Sequence, residues 1–262
     1  MKFQSLRIVG LAALAWAAMG CATLRVNQEK VHAIKTVAIV GFVGVPDLKE
    51  GAESSNRGGN LFNAISDMKD TFSGDLDKRR VAQAETVYAA LAKHLEADMG
   101  WKVLETSALG ADPTYLGYLK ENPNVDTLRA TGLQRLPQVL RAEPALQALD
   151  PASRSALMQR LGVDALVIAK VHYVVGRTSG FAMGGIGKTT VYPKARLEFS
   201  VLDGSEKPVW QDRFAEGSPT EEGLDNVMGA KLNENESQVL VSAAESGFVT
   251  LVDRCHKAPS TP

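Results

Sequence analysis

The sequence predicts an α/β (α+β) fold: a mixed sheet of about five strands, made of a βαβ unit followed by an antiparallel meander and flanked by helices. Three observations carry that expectation. A β-branched apolar run at 34–42 leads through a helical stripe into a short second strand at 101–105, the layout of a crossover that packs one apolar helix face onto a sheet. Three strand-like runs then follow at 164–175, 191–202 and 208–214, with the last two close enough to pair across a turn. The chain has 262 residues, 45% hydrophobic and 23% charged, an ordinary globular balance with enough apolar material for one sizeable core.

The amino terminus is read separately. Lys2 and Arg7 form a cationic start, and Ile8 to Gly20 is an uncharged apolar run closed by small residues. That is the layout of a cleavable secretory signal, assigned to residues 1–20. A membrane-spanning helix needs about 20 apolar residues, so the shorter run argues against a permanent span. The tetrapeptide Ala18-Met19-Gly20-Cys21 resembles the lipobox of bacterial lipoproteins, whose cysteine receives diacylglycerol and becomes the new amino terminus. Ala18 and Met19 depart from its commonest form, and the alternative is an ordinary signal with a chance cysteine at the junction. Each buried acyl CH₂ contributes about 0.8 kcal/mol, so two or three chains anchor a protein effectively permanently. The resemblance therefore implies lipidation of Cys21 and attachment to a membrane. Ala22 in place of Asp resembles the export signal of enterobacterial outer-membrane lipoproteins, which places the body on that membrane facing the periplasm.

Residues 21–35 read as a lipidated polar tether and 36–255 as a single α/β domain. Within it, 44–80 is rich in Gly, Ser, Asn and Asp and reads as an irregular insert. Leu61, Phe62, Ile65, Met68 and Phe72 recur there at helical spacing. Such a stripe either folds back on the domain or forms an exposed patch that meets a partner or a membrane; apolar helix faces are normally buried. Val81, Ala84, Tyr88, Leu91 and Leu95 define one face of a helix that Gly100 stops. Four prolines break 106–149 into short helices, and Asp150-Pro151 forms an N-cap and first turn for a helix ending at Gly162.

The segment 176–188 is glycine-rich and reads as a link between strands. Ala195, Leu197, Phe199 and Val201 alternate with Lys194, Arg196, Glu198 and Ser200, a strand with one wet face. The last helix is placed at 237–255, with Leu240, Ala244, Phe248, Leu251 and Cys255 on its apolar side, followed by a loose tail at 256–262.

Four blocks then resemble a known group: VAIVGF at 37–42, AETVYAALAKHLEADMGWKVLET at 84–106, LMQRLGVDALVIAKV at 157–171 and ARLEFSVLDGSEKPVWQDR at 195–213. They are similar to successive blocks of the curli-secretion lipoprotein family and its relatives, the penicillin-binding-protein activator lipoproteins and the amino-terminal domain of the translocation protein TolB. The resemblance spans most of 36–255 and implies a TolB-amino-terminal-domain-like fold acting as a periplasmic interaction module. It implies no catalysis. The curli channel protein also carries long membrane-crossing hairpins of roughly 10-residue alternating strands; the insert does not alternate and the 176–190 link looks short for that.

Charge and chemistry point the same way. Lys plus Arg number 29 against 30 Asp plus Glu, so no basic excess suggests nucleic acid. The segment 182–189, AMGGIGKT, fits a loose phosphate-loop pattern, but that mechanism needs a following helix and a β-branched run follows instead. The four histidines fit no zinc spacing, and no cofactor or metal site is expected. With Cys21 lipidated, Cys255 is left as a thiol on a buried helix face, where an inert cysteine is the default. The acid pairs Glu221–Glu222 and Glu234–Glu236 read as solvated surface. The expected function is a non-catalytic anchored lipoprotein that binds envelope proteins or copies of itself. An oligomeric outer-membrane secretion component and a hydrolase or ligand-binding protein with an unrecognised site are the alternatives.

Overall fold

The computed structural model describes residues 24–46, 48, 75–121, 133–134, 136–140, 149–183, 186–227, 230–231 and 235–261. In chain order they form β1 (Leu24–Val26), α1 (Gln28–Ala33), β2 (Thr36–Pro46), α2 (Asp75–Met99), β3 (Lys102–Val103), α3 (Thr106–Ala111), α4 (Pro113–Glu121) and α5 (Pro151–Leu161). Then come β4 (Ala165–Met183), β5 (Ile186–Leu202), β6 (Trp210–Glu216), β7 (Leu224–Val227), β8 (Ala230–Lys231) and α6 (Glu236–Lys257).

The fold is mixed α/β, and the five expected strands are β2 to β6. They sit in one sheet ordered β1-β6-β5-β4-β2-β3, with β7 on β5 and β8 on β7. β2 pairs in parallel with both β3 and β4, the mark of the βαβ crossover through α2. β4, β5 and β6 are successive antiparallel neighbours, which is the meander. One bulge interrupts β2 against β4 between Ile39 and Gly41.

The helical stripes bury as their periodicity requires. Ala84, Tyr88, Leu91 and Leu95 of α2 are buried, and Val81 is half-exposed at the start of the stripe. Leu240, Ala244, Phe248, Leu251 and Cys255 of α6 are buried too. α6 packs on β5 and β6 with α2 beside it. They cover the sheet face that carries Ala195, Leu197, Phe199 and Val201 opposite Tyr173, Val171, Ala169 and Val167. α5 begins as expected: Asp150 accepts from the N–H of Ala152 at 2.9 Å and of Ser153 at 3.0 Å, with Pro151 in the first turn. It ends at Gly162, which takes a left-handed φ of 66° that a side chain would strain.

Five expectations are corrected. The 21–35 tether is largely structured: β1 pairs with β6 through Leu24↔Asp212, Arg25↔Gln211 and Val26↔Trp210, because β6 would otherwise leave its backbone groups open at the sheet edge. The 256–262 tail is tied down, with α6 running to Lys257 and the Thr261 N–H donating to Val26 O at 2.7 Å. The insert at 44–80 is shorter than expected. β2 continues to Pro46 because β4 runs on beside it, and α2 already begins at Asp75. The glycine-rich 176–188 link is strand over 176–183 and 186–188, with pairing unbroken from Gly180↔Thr189 to Met183↔Ile186. Ser200, expected on the wet face, is buried, because that face is covered at the end shared with Leu166, Ile168 and Leu202, where α5 meets β4.

At this end of the sheet Asp164 ties the start of β4 to the start of β2. Its Oδ2 accepts from the N–H of Lys35 and of Thr36, both at 2.8 Å, and from Thr36 Oγ1 at 3.0 Å. The Lys35 N–H is the largest of the effects holding this carboxyl below the usual carboxylate range. A depressed folded pKa gives stabilisation that is complete above the unfolded value, about 3.9, and disappears as pH falls through the folded one. Urea midpoints measured from pH 6 to pH 2 should decline below about pH 4. In Asp164→Asn that decline flattens while stability near pH 6 drops; an unchanged profile would contradict the assignment.

Candidate functional site

The two sequence-assigned sites lie outside the described residues: the lipidation cysteine Cys21 and the stripe Leu61, Phe62, Ile65, Met68 and Phe72. What the structure does place is the surface around β1, the first described element. β1 starts three residues after Cys21. Beside it lies an open recess of about 340 Å³ lined by Arg25, Asn27, Lys30, Thr261 and the 205–209 turn. Lys30 pairs with Asp203 at 2.9 Å, and Asn27 seats the turn by donating its N–H to Val209 O at 2.8 Å. The turn is internally braced as well, Asp203 accepting from the Ser205 N–H at 2.7 Å.

A second surface is the open part of the sheet face opposite α6. Register places Lys170 and His172 of β4 there with Glu198 and Arg196 of β5. His172 Nε2 lies 2.9 Å from Glu198, and Glu216 of β6 bridges Lys194 and Arg196. Lys194 first, then Arg196, hold the Glu216 carboxyl below its ordinary range. These side chains are half-exposed or exposed, so each pair adds little stability, about 0–1 kcal/mol. They give this face a fixed charge pattern.

Under the sheet's other end lies a polar array that no linear pattern signals. Arg80 of α2 bonds Glu236 of α6 at 2.9 Å and Gln83 at 2.7 Å. Gln83 accepts from Gln134 at 3.2 Å, and Gln134 accepts from the Tyr173 hydroxyl at 2.9 Å. Gln134 also exchanges two backbone bonds of 2.8 Å with Gly44, closing the edge of β2. Glu236, read from sequence as surface, is thus buried and paired. The array ties α2, α6, β4 and the edge of β2 together, although Arg80 Nε is itself buried without a hydrogen-bond partner among the described residues.

The remaining expectations can be placed one by one. The AMGGIGKT segment leads into strand β5 and not a helix, so it has no helix amino terminus to face a phosphate. Among the described residues no group of three His, Cys, Asp or Glu is placed to hold a metal, and no helix is long and apolar enough to cross a membrane. Cys255 is buried, and burial, with the Asp212 charge adding, pushes its thiol up to about 12. A thiol that stays protonated is a poor nucleophile. At pH 8 it should resist a disulfide reagent in the folded chain and react within seconds in denaturant, as thiol titration with and without urea will show. Fast reaction in the folded chain would contradict its placement.

No family model matches the chain, and no curated protein matches it. Among solved structures it is similar to lipoprotein GNA1162 from Neisseria meningitidis, at 15% identity over 80% of this chain and 94% of that chain, with a TM-score of 0.24.

Proposed function

We propose that the chain is a non-catalytic lipoprotein of the bacterial envelope, anchored through lipid on Cys21, whose α/β body binds other envelope proteins or copies of itself. The observation that carries this reading is the signal layout ending in Ala18-Met19-Gly20-Cys21 directly before the folded body. β1 enters the sheet three residues on, so body and anchor are joined without a long spacer. The resemblance of the four sequence blocks to envelope interaction lipoproteins supports the binding role, and the patterned charged face of β4, β5 and β6 is a surface that could serve it. The body then faces the periplasm from the outer membrane.

The test is fractionation with acyl analysis. The wild-type chain should sediment with membranes through a high-salt wash, and mass spectrometry should find diacylglycerol on Cys21. Cys21→Ser should move it to the soluble or unprocessed fraction, a near-complete change, because acyl burial supplies the attachment. An unacylated wild type free in solution would overturn the reading. Crosslinking in intact envelopes tests the second half, and a monomer with no neighbour would remove it.

One observation favours the oligomeric secretion component as a second reading. The β4–β5 pairing runs on for nine pairs past Tyr173, the last β4 residue paired with β2, out to Met183↔Ile186, with one bulge between Val175 and Arg177. Such an arm has the length of a membrane strand. Rings on size-exclusion chromatography and conductance in a bilayer would establish it; a monomer without conductance would remove it.

A further inference from the structure

We propose that the recess beside β1 docks the headgroup of an anionic phospholipid of the membrane that holds the anchor. This inference rests on the reading of Cys21 as the lipidated residue. Two observations carry it: where the described chain begins, and the charge around the recess.

Arg25 is four residues from Cys21, so even a fully extended chain keeps it within about 14 Å of the anchored residue. The field of an anionic surface decays over a Debye length of about 8 Å at physiological salt. Arg25, Lys30 and Lys207 line one recess. Lys35 and Lys102 lie at the same end of the sheet, where Thr36 pairs with Lys102. Of the acids at this end, Asp203 pairs with Lys30 and Asp164 accepts the backbone N–H groups of Lys35 and Thr36, while Glu29 and Glu206 are exposed, so the recess cations left for a ligand are Arg25 and Lys207. Arg25 and Lys207 have no acidic partner among the described residues.

A phosphodiester fits this arrangement. The Arg25 guanidinium offers a planar set of donors and Lys207 a mobile ammonium, while Pro208 supplies an apolar wall for the glycerol. Each cation at an anionic surface strengthens the contact about fivefold. The effect on the fold is orientation. An acyl chain leaves the body free to tumble about its anchor, whereas a docked headgroup holds the β1 edge against the bilayer and turns the β4–β5 arm to a defined direction.

The mature protein, purified from membranes and checked by mass spectrometry for acylation, is reconstituted in nanodiscs of phosphatidylcholine alone or with one third phosphatidylglycerol. Amide exchange is followed over 24–30 and 204–209. The expected result is exchange slowed about fivefold or more in the phosphatidylglycerol discs, returning to the phosphatidylcholine rate in 1 M salt and in the Arg25→Ala/Lys207→Ala double variant. Equal exchange in both discs with Cys21 acylated overturns the docking proposal and leaves the anchor standing. Equal protection by millimolar glycerol phosphate in phosphatidylcholine discs also overturns it, since the recess would then be a site for free phosphate. An unacylated Cys21 overturns the anchoring reading and this inference with it.

Discussion

Replacing Trp210 with alanine should lower stability by about 4 kcal/mol, within the range for deleting a buried aromatic side chain. For a chain of this size that corresponds to a fall in melting temperature of roughly 10 °C. Trp210 is fully buried at the first position of β6, where three strands meet: it pairs with Val26 of β1 and Val201 of β5. Its ring lies 4.7 Å from that of Phe199 and 6.2 Å, edge-on, from that of Trp101. Truncation would therefore open a cavity between the meander and the β3 side of the sheet, and rigid strands collapse poorly into such a space. The indole Nε1 finds no hydrogen-bond partner, so Trp210→Phe removes a buried unsatisfied donor along with some packing. It should cost clearly less than alanine. Urea unfolding followed by circular dichroism measures both, and a loss under about 1.5 kcal/mol for Trp210→Ala would contradict this account of the core.

The second large effect is expected at Arg254. Asp212 is fully buried on β6, and Arg254 from α6 meets it through two bonds, Nε to Oδ2 at 2.7 Å and a terminal nitrogen to Oδ1 at 3.1 Å. The Phe214 N–H donates to the same Oδ1 at 3.0 Å. The bond to Asp212 raises the guanidinium above its ordinary pKa. Arg254→Ala leaves a carboxylate buried without a counter-charge, which costs about 3 kcal/mol, at the low end for such pairs because the arginine is partly exposed. Adding Asp212→Asn removes the stranded charge but keeps an acceptor for Phe214, so the double variant should recover about half the loss. A double variant no more stable than Arg254→Ala would show that charge is not what the pair contributes. The same variants read out the edge of the sheet, because Asp212 is also the register partner of Leu24 in β1.

The elements legible in sequence were those whose signal is local. The stripe from Ala84 to Leu95, the alternation from Ala195 to Val201, and the Asp150-Pro151 start and Gly162 stop of α5 each depend on neighbours within a turn or two. Strands β1, β7 and β8 were missed because each is two to four residues long and has no pattern of its own. Leu24–Val26 is a strand because β6 presents an unpaired edge to it. The stretch 176–188 reads in sequence as a glycine-rich link, since glycine weakens a strand in isolation; there the pairing of β4 with β5 overrides propensity. Glu236 was read as solvated for the same reason, because its partner Arg80 lies 156 residues away.

By itself the sequence determined the class of the fold and the faces its helices bury, both consequences of periodicity. Only the tertiary structure decided that Leu24–Val26 is stitched to the sheet and to Thr261, that Arg25, Lys30 and Lys207 converge on one recess, and that Arg80 and Glu236 meet under the sheet. Those contacts join residues far apart along the chain, and such pairings acquire their energy only after the backbone has closed the loops between them.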